Sequence, residues 1–196
     1  MNNITAGFAL CGSFCTFDKV IKQIESLSDK NINIIPIMSY EASSTDTRFG
    51  KADDFIKKLE RICGNKVIKT IADAEPIGPK KLLDILVVAP CTGNTLGKLA
   101  NGIFDTPVTL SVKSHLRNQR PVLLGVSTND ALGASAKNIG ILMNVKNIFF
   151  IPMSQDDCKT KPNSIVAEFD YLYEAMEFAL KKEQIQPIYK SKEQVL

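Results

Sequence analysis

Five runs of consecutive apolar residues constrain the fold of this chain more than any other feature. The runs are Thr5–Cys11, Ile32–Met38, Asp84–Ala89, Val122–Val126 and Ile148–Pro152. Because their apolar residues are continuous rather than alternating, each run is typical of a strand that is buried on both faces. The shorter run Val67–Thr70 predicts one further strand.

Amphipathic stretches of helical period separate these runs. Phe17–Leu27 and Asp53–Ile62 each place their apolar residues on one face, and the remaining predicted helices are Leu96–Ile103, Val108–Leu116, Ala131–Met143 and Val166–Lys181. Parallel neighbouring strands need crossover connections, so this alternation favours helices on both faces of a parallel sheet. The sequence therefore predicts a single-domain α/β fold, a doubly wound, Rossmann-like parallel sheet of five or six strands.

Length and composition agree with one domain, predicted to cover residues 1–183 and to be followed by a polar tail, 184–196, outside the core. The net charge is +3, from 24 basic and 21 acidic residues, and no basic face predicts a nucleic-acid or membrane partner. Five cysteines without a CxxC pair indicate neither a disulfide framework nor a metal site. Reduced thiols, and a first segment without a basic secretion signal, predict a cytoplasmic protein.

Small hydroxyl and amide residues follow four of the predicted strands. They lie in the segments Gly12–Thr16, Pro90–Thr95 and Ser127–Asp130 and at Ser39. Ligands of open parallel sheets bind outside the carboxyl ends of the strands, where helix amino ends attract anions. The four segments together predict a phosphate-binding site, although each alone also fits a helix cap or a tight turn. Neither GxGxxG nor GxxxxGK[ST] occurs, so a dinucleotide fingerprint and a P-loop are absent.

The segment DILVVAPCTGNTLGKLANGIFDTPVT resembles the flavoprotein family of FMN-dependent cysteine decarboxylases, whose pattern is ADxxxxAPxSANTxxKxAxGxxDxxxT. The matching residues are Asp84, Ala89, Pro90, Asn94, Thr95, Lys98, Ala100, Gly102, Asp105 and Thr109. The resemblance covers residues 4–153 and implies a bound FMN. By resemblance, Gly12, Ser13 and Ser39 hold its phosphate. Thr92, Asn94 and Thr95 surround phosphate and ribityl, and Ser127 and Asn129 border the isoalloxazine or substrate. Phe14, Pro90 and Cys91 complete the predicted cofactor-binding residues.

Two departures from the family pattern bear on the reaction. Pro76 stands where the decarboxylases carry a histidine, and the second signature is reduced to its asparagine, Asn129. Loss of a positioned acid–base group argues against decarboxylation of cysteinyl peptides. The single histidine, His115, aligns with no catalytic position, and we expect it at the surface or at a helix end. No residue is therefore assigned a catalytic role.

The runs FALCGSFCTF, PCTGNT and LGVSTNDALGASAKNIG resemble one branch of this family, found in spore-forming bacteria. That resemblance implies a homo-oligomeric subunit that acts on a dicarboxylate in the mother cell, with NAD or NADP bound only by a dehydrogenase-like partner protein. The nearest cations for a dicarboxylate are Lys113, Arg117 and Arg120, for which a solvated helix face is the favoured interpretation. The alternatives are a non-catalytic assembly subunit that has lost the flavin and a flavin prenyltransferase-like enzyme.

Overall fold

The computed structural model describes residues 4–191, in which seven strands and eight α-helices follow one another along the chain. The strands are β1 (Thr5–Leu10), β2 (Asn33–Met38), β3 (Ile85–Cys91), β4 (Val122–Thr128), β5 (Ile148–Phe150), β6 (Met153–Asp157) and β7 (Lys161–Ala167). The helices are α1 (Phe17–Asp29), α2 (Tyr40–Ser44), α3 (Ala52–Cys63), α4 (Ile71–Ala74), α5 (Gly93–Ala100), α6 (Pro107–Arg117), α7 (Ala136–Met143) and α8 (Leu172–Leu180). Residues 1–3 and 192–196 of the predicted domain and tail lie outside the described residues.

Five strands form a parallel sheet in the order β2-β1-β3-β4-β5. Successive residues of β1 face opposite sides: Phe8 and Leu10 pack in one hydrophobic cluster with α1, α3 and α8, and Ala9 packs in another with α5, α6 and α7. Because both faces are covered, the central strands need the continuous apolar runs seen in the sequence. The predicted doubly wound α/β fold is confirmed.

Local sequence signals set several element boundaries. Helix α6 begins at a capping box in which Thr106 and Thr109 each accept the other's backbone N–H, at 3.1 Å in both directions. Pro36 lies within β2, the outermost strand of the sheet order, and its missing N–H costs no bond to β1 because the Pro36 carbonyl on that same side accepts the Ile68 N–H at 2.9 Å. The predicted strand Val67–Thr70 is reduced to a single bridge between Ile68 and Ile37. Among residues 4–191, no helix has the length and apolar character needed to cross a bilayer.

An antiparallel hairpin of β6 and β7 extends the sheet beyond the predicted strands. Strand β7 pairs with the end of β4, where Val166 lies opposite Ser127 and Ile165 opposite Thr128. The prediction of one helix over Val166–Lys181 is therefore wrong at its start, since Val166 belongs to β7 and α8 begins at Leu172. The β-branched pair at 165 and 166 completes the otherwise unpaired end of β4.

The segment 184–190 packs on the domain. The side chain of Gln184 accepts a hydrogen bond from the Phe150 N–H (2.8 Å) and donates one to the Phe150 carbonyl (2.7 Å). Ile185 is buried in the core, and backbone bonds join Met153 to Ile188 and Lys190, each at 2.9 Å. Ile185 is thus part of the core, whereas Gln186, Pro187 and Tyr189 are exposed, and the polar tail stays a prediction. The domain limits at 1 and 183 stay a prediction.

Candidate functional site

An open cleft of about 750 Å³ lies at the carboxyl edge of the parallel sheet. Its volume falls within the range of roughly 300–1,000 Å³ that is usual for small-molecule sites. It is lined by Gly12, Ser13, Phe14, Cys15, Arg48, Phe49, Thr92, Gly93, Asn94, Ser127, Thr128, Asn129, Asp130, Asp156, Lys161, Ser164 and Val166. The cleft thus collects residues from three strand ends and from the hairpin, as expected for an open parallel sheet.

Seven of the predicted cofactor-binding residues line this cleft: Gly12, Ser13, Phe14, Thr92, Asn94, Ser127 and Asn129. The structure therefore brings together residues that are more than a hundred positions apart in the chain. Their contact with a cofactor stays a prediction.

The turn after β1 is held from both sides. The Ser13 and Ser127 hydroxyl oxygens are 2.8 Å apart, which joins the ends of β1 and β4 across the cleft. The Thr16 hydroxyl donates to the Ser13 carbonyl at 2.8 Å, and the Phe14 ring packs on Phe17 with centroids 5.1 Å apart. Two hydroxyl groups that each donate and accept are thereby fixed in the cleft wall.

The amino end of α5 forms the adjacent wall. Thr92 is its N-cap, and its hydroxyl accepts the Thr95 N–H at 3.4 Å. The next residues, Gly93 and Asn94, lie in the first turn, where backbone N–H groups have no helical partner and the helix dipole is positive. Thr92 therefore acts as a helix cap and also lines a site suited to an anion.

The other four predicted residues lie behind this lining. Ser39 is buried and caps α2, accepting the Ala42 N–H at 3.2 Å. Thr95 is also buried, and its hydroxyl donates to the Cys11 sulfur at 3.2 Å. Pro90 and Cys91 are the last two residues of β3, and burial raises the pKa of the Cys91 thiol well above its usual value. These positions support the cleft from within, and direct cofactor contact by them stays a prediction.

A carboxylate that sequence reasoning did not select, Asp130, is fixed beside the amino end of α5. Its Oδ1 accepts from the Thr128 hydroxyl at 2.5 Å and from the Ser135 hydroxyl at 2.9 Å. A Cβ at Gly93 would stand 2.7 Å from both Asp130 Oδ1 and Ser135 Oγ, and 2.8 Å from Thr128 Oγ1. The glycine leaves room for this network, and its departure from the alanine of the family pattern is the signal that could have revealed Asp130.

The cations of the cleft are Arg48, in the loop between α2 and α3, and Lys161, at the start of β7. Neither was selected from the sequence. Lys161 Nζ is 2.9 Å from Asp156 Oδ2, and this hydrogen bond to a carboxylate raises the pKa of the lysine.

The basic cluster selected from the sequence lies elsewhere. Arg120 donates to the Lys81 and Leu83 carbonyls and lies 3.6 Å from Asp84, at the amino end of β3. The cleft lies at the opposite end of the strands, so Arg120 cannot bind a ligand there. Lys113 and Arg117 are exposed on α6, in agreement with the solvated-face interpretation.

His115 lies in the last turn of α6, as a helix-end histidine, but it is not at the surface. It is 1% exposed, and its Nε2 is 3.0 Å from the Pro121 carbonyl oxygen. Burial lowers the pKa of the imidazole to about 4. Since it faces the core and does not line the cleft, a catalytic role there has no structural support.

An open parallel α/β sheet with a hydroxyl-rich cleft beside a helix amino end is typical of proteins that bind a phosphate-bearing cofactor or substrate. The chain belongs to the flavoprotein family, whose profile matches residues 1–175.

Three relatives are similar to this chain over most of its length. The chain is 49% identical over 182 residues to the B subunit of dipicolinate synthase from Bacillus subtilis, covering 93% of this chain and 91% of that one. The crystal structure of the corresponding B subunit from Bacillus halodurans is 43% identical, with a TM-score of 0.89 over 98% of this chain and all of that one. An FMN-dependent cysteine decarboxylase of thioviridamide biosynthesis is 26% identical, with a TM-score of 0.55 over 71% of this chain and 85% of the other.

The residues present fit a flavin mononucleotide. The hydroxyls of Ser13, Thr92 and Ser127, together with the first turn of α5, offer neutral donors suited to a phosphate and a polyol chain. The cleft also has apolar walls in Phe14, Phe49 and Val166, which suit a planar ring. Within residues 4–191, no cluster of His, Cys, Asp or Glu side chains could hold a metal ion.

Proposed function

We propose that this chain acts as the B subunit of a dipicolinate synthase, an oxidoreductase that forms dipicolinate from dihydrodipicolinate together with the dipicolinate synthase A subunit. The observation that carries this proposal is the 49% identity to a protein of that name over 93% of the chain. The proposed setting is the cytoplasm of the mother cell of a sporulating bacterium.

FMN is the cofactor that we propose for the cleft. The family and the FMN-dependent relative support it, and the chemistry of the cleft lining agrees with it. Bound FMN would supply a two-electron acceptor. Ser13 and Ser127, with the amino end of α5, would bind and orient its phosphate and ribityl groups, and Asn129 would lie beside the ring or the substrate.

The division of labour between two subunits rests on what this sequence lacks. No dinucleotide fingerprint is present, so NAD or NADP would be bound by the dehydrogenase-like partner alone. Pro76, which has no acid–base group, stands where the decarboxylases carry their histidine, so decarboxylation is not proposed. We also propose a homo-oligomer, as the family resemblance implies.

The test is to purify this chain and its partner, assay each alone and then mixed, and follow dipicolinate by its ultraviolet absorbance. We expect little product from this chain alone, no decarboxylation of a peptide that ends in cysteine, and full activity from the mixture. Full activity without the partner would refute the two-subunit proposal. Decarboxylation of the cysteine peptide would instead show that the chain has the activity of the decarboxylases that it resembles.

A second candidate function is a non-catalytic assembly subunit without flavin. The observation that favours it is the Asp130 carboxylate beside the amino end of α5, because a fixed negative charge there opposes a phosphate. Visible absorbance separates the two candidates, since a protein with bound FMN is yellow. A colourless protein that gains no FMN on titration, yet is required for activity of the mixture, would select the assembly role.

A further inference from the structure

Three of the four charged residues of the cleft lie on two segments that the flavin-binding pattern does not include. Arg48 belongs to the loop 45–51, and Lys161 and Asp156 belong to the β6–β7 hairpin. The fourth charged residue, Asp130, is already bonded to the Thr128 and Ser135 hydroxyls. The residues from the strand ends that match the family pattern are all neutral, so positive charge enters the cleft only from these two segments.

The charged residues of the hairpin lie at a distance from the neutral donors at the strand ends. Ile165 lies opposite Thr128, the last residue of β4, and Lys161 precedes it by four residues on an antiparallel strand. At about 3.3 Å per residue, Lys161 lies roughly 13 Å beyond the end of β4. The hairpin turn is fixed by Asp157, whose Oδ1 accepts the backbone N–H groups of Lys159 and Thr160, each at 3.0 Å.

The loop that carries Arg48 is also held in place. Thr47 and Gly50 exchange backbone hydrogen bonds at 3.0 and 3.1 Å, and Asp46 accepts the Ala52 N–H at 2.9 Å. Arg48 is exposed at the tip, with its guanidinium 4.9 Å from the centroid of the Phe49 ring. Within residues 4–191, none of the ion pairs includes Arg48. A planar guanidinium on a fixed loop, with its charge uncompensated, is suited to bidentate binding of a carboxylate.

Arg48 and Lys161 could bind either the flavin phosphate or the carboxylates of the substrate, and the balance of charge in the cleft favours the carboxylates. Neutral hydroxyl donors and a helix amino end are available to the phosphate of a flavin, although Asp130 lies beside that amino end. A dicarboxylate in the same cleft brings two further negative charges, and the neutral lining does not balance them. Lys161 is only partly neutralised, because its pair with Asp156 is exposed, with 58% and 33% of the two side chains accessible to solvent, and such pairs are weak.

We propose that Arg48 and Lys161 form a carboxylate-binding subsite that holds the substrate's carboxylates, separate from the donors that hold the flavin phosphate. This inference rests on the proposed function for the substrate class, a planar dicarboxylate. Both groups are positioning residues: they orient the substrate in the cleft and take no part in electron transfer. The subsite also requires Lys161 to exchange its contact with Asp156 for one with the ligand.

The experiment measures binding of pyridine-2,6-dicarboxylate, pyridine-2-carboxylate and FMN by calorimetry to the full chain and to the variants Arg48→Gln and Lys161→Gln. Each variant should weaken dicarboxylate binding about tenfold, the effect of one lost charge-assisted contact, and leave the FMN dissociation constant within about twofold. The preference for the dicarboxylate over the monocarboxylate should fall in parallel. Lys161→Arg should restore most of the dicarboxylate binding because it retains the charge.

Matched controls remove the same charge from the same segments outside the cleft lining. Lys51→Gln lies at the end of the Arg48 loop and Lys159→Gln lies in the hairpin turn, and both side chains are exposed. Neither should change dicarboxylate affinity by more than about twofold, since exposed charges at a distance are screened by salt.

Three results would overturn the subsite: unchanged dicarboxylate affinity in both variants, equal weakening in the controls, or a loss of FMN affinity as large as that of the dicarboxylate. The last result would assign the cations to the phosphate. Failure of the proposed function is distinguishable from these, because a mixture of the two proteins that forms no dipicolinate, with dicarboxylate binding still dependent on Arg48 and Lys161, rejects the reaction and keeps the subsite.

Discussion

Gly93→Ala tests whether the glycine of the PCTGNT segment exists to accommodate the Asp130 network. The added Cβ would lie 2.7 Å from Asp130 Oδ1 and Ser135 Oγ and 2.8 Å from Thr128 Oγ1, shorter than real Cβ contacts. These three side chains are short and bonded to one another, so they cannot move independently. Overpacking of this kind costs about 1–3 kcal/mol.

The gain in helix propensity only partly offsets this cost. Alanine stabilises a helix interior by about 1 kcal/mol relative to glycine. The gain is smaller at the first position of α5, which Gly93 occupies. The net expectation is a loss of about 1–2 kcal/mol, which lowers Tm by about 2–8 °C in a domain of this size. Thermal unfolding followed by circular dichroism, with urea unfolding for the free energy, measures both quantities.

Gly97 in the same helix provides the matched control. A Cβ there would meet only Asn138 Nδ2, at an ordinary 3.5 Å, so Gly97→Ala should stabilise by up to about 1 kcal/mol. A double-mutant cycle with Asp130→Ala completes the test. With Oδ1 gone and the two hydroxyls free to rotate, Gly93→Ala should cost at least about 1 kcal/mol less than in the natural sequence. Additive effects, or a Gly93→Ala variant as stable as Gly97→Ala, would show that the network does not select the glycine.

Three further predictions address the cleft, a buried base and the thiols. Asn94→Asp places a carboxylate in the first turn of α5, which should keep or raise Tm because the charge complements the helix dipole. The same charge should weaken FMN binding at least about tenfold because it repels the phosphate. A fluorescence titration that finds unchanged FMN affinity would exclude Asn94 from the site. The pKa of His115 is about 4 when folded and 6.5 in its ordinary state, so the unfolded chain binds the proton first, and stability should fall by at most about 3 kcal/mol as pH drops from 6.5 to 4. Urea unfolding should show this loss in the natural chain and not in His115→Gln, and equal pH profiles would contradict it. Iodoacetamide should label the exposed cleft residue Cys15 but not the buried Cys11 and Cys91, and FMN should slow the labelling of Cys15; mass spectrometry that finds no protection would place the flavin elsewhere.

The sequence predicted the parallel sheet because burial on both faces leaves a local signature, a continuous apolar run. The hairpin has no such signature. Residues 153–163 are mostly polar and charged, and β7 is defined by its pairing with the end of β4, a contact between Ser127 and Val166 that local periodicity does not encode. The same limit applies to the segment after α8, where the Gln184 side chain replaces a backbone partner of Phe150.

The part of the candidate site that lies at the ends of the parallel strands could be predicted from the sequence, and the part on the loop and the hairpin could not. Ser13, Thr92 and Ser127 follow strands, and the carboxyl ends of parallel strands meet at one edge of a sheet. Arg48 and Lys161 lie on a loop and a hairpin whose course is set by tertiary contacts. Cations chosen by nearness along the chain, such as Arg120, therefore lay at the wrong end of the strands.

Strand β4 pairs with β5 along its first half and with β7 at its end, and we expect the two regions to differ in local stability. Its first half, with Val122 and Leu124, pairs with β5 inside the five-stranded sheet, and only its last two residues hold β7. That ladder is short, but Met153, Ile165 and Ala167 of the hairpin are buried in the core, so we expect only the outer part of the hairpin, around Lys161, to open while the sheet stays closed. Its amide hydrogens would then exchange with solvent faster than those of β1 and β3. Because the cleft is lined by Ser127 of the ladder and by Lys161 and Val166 of the hairpin, a ligand bound there would slow that exchange at the hairpin.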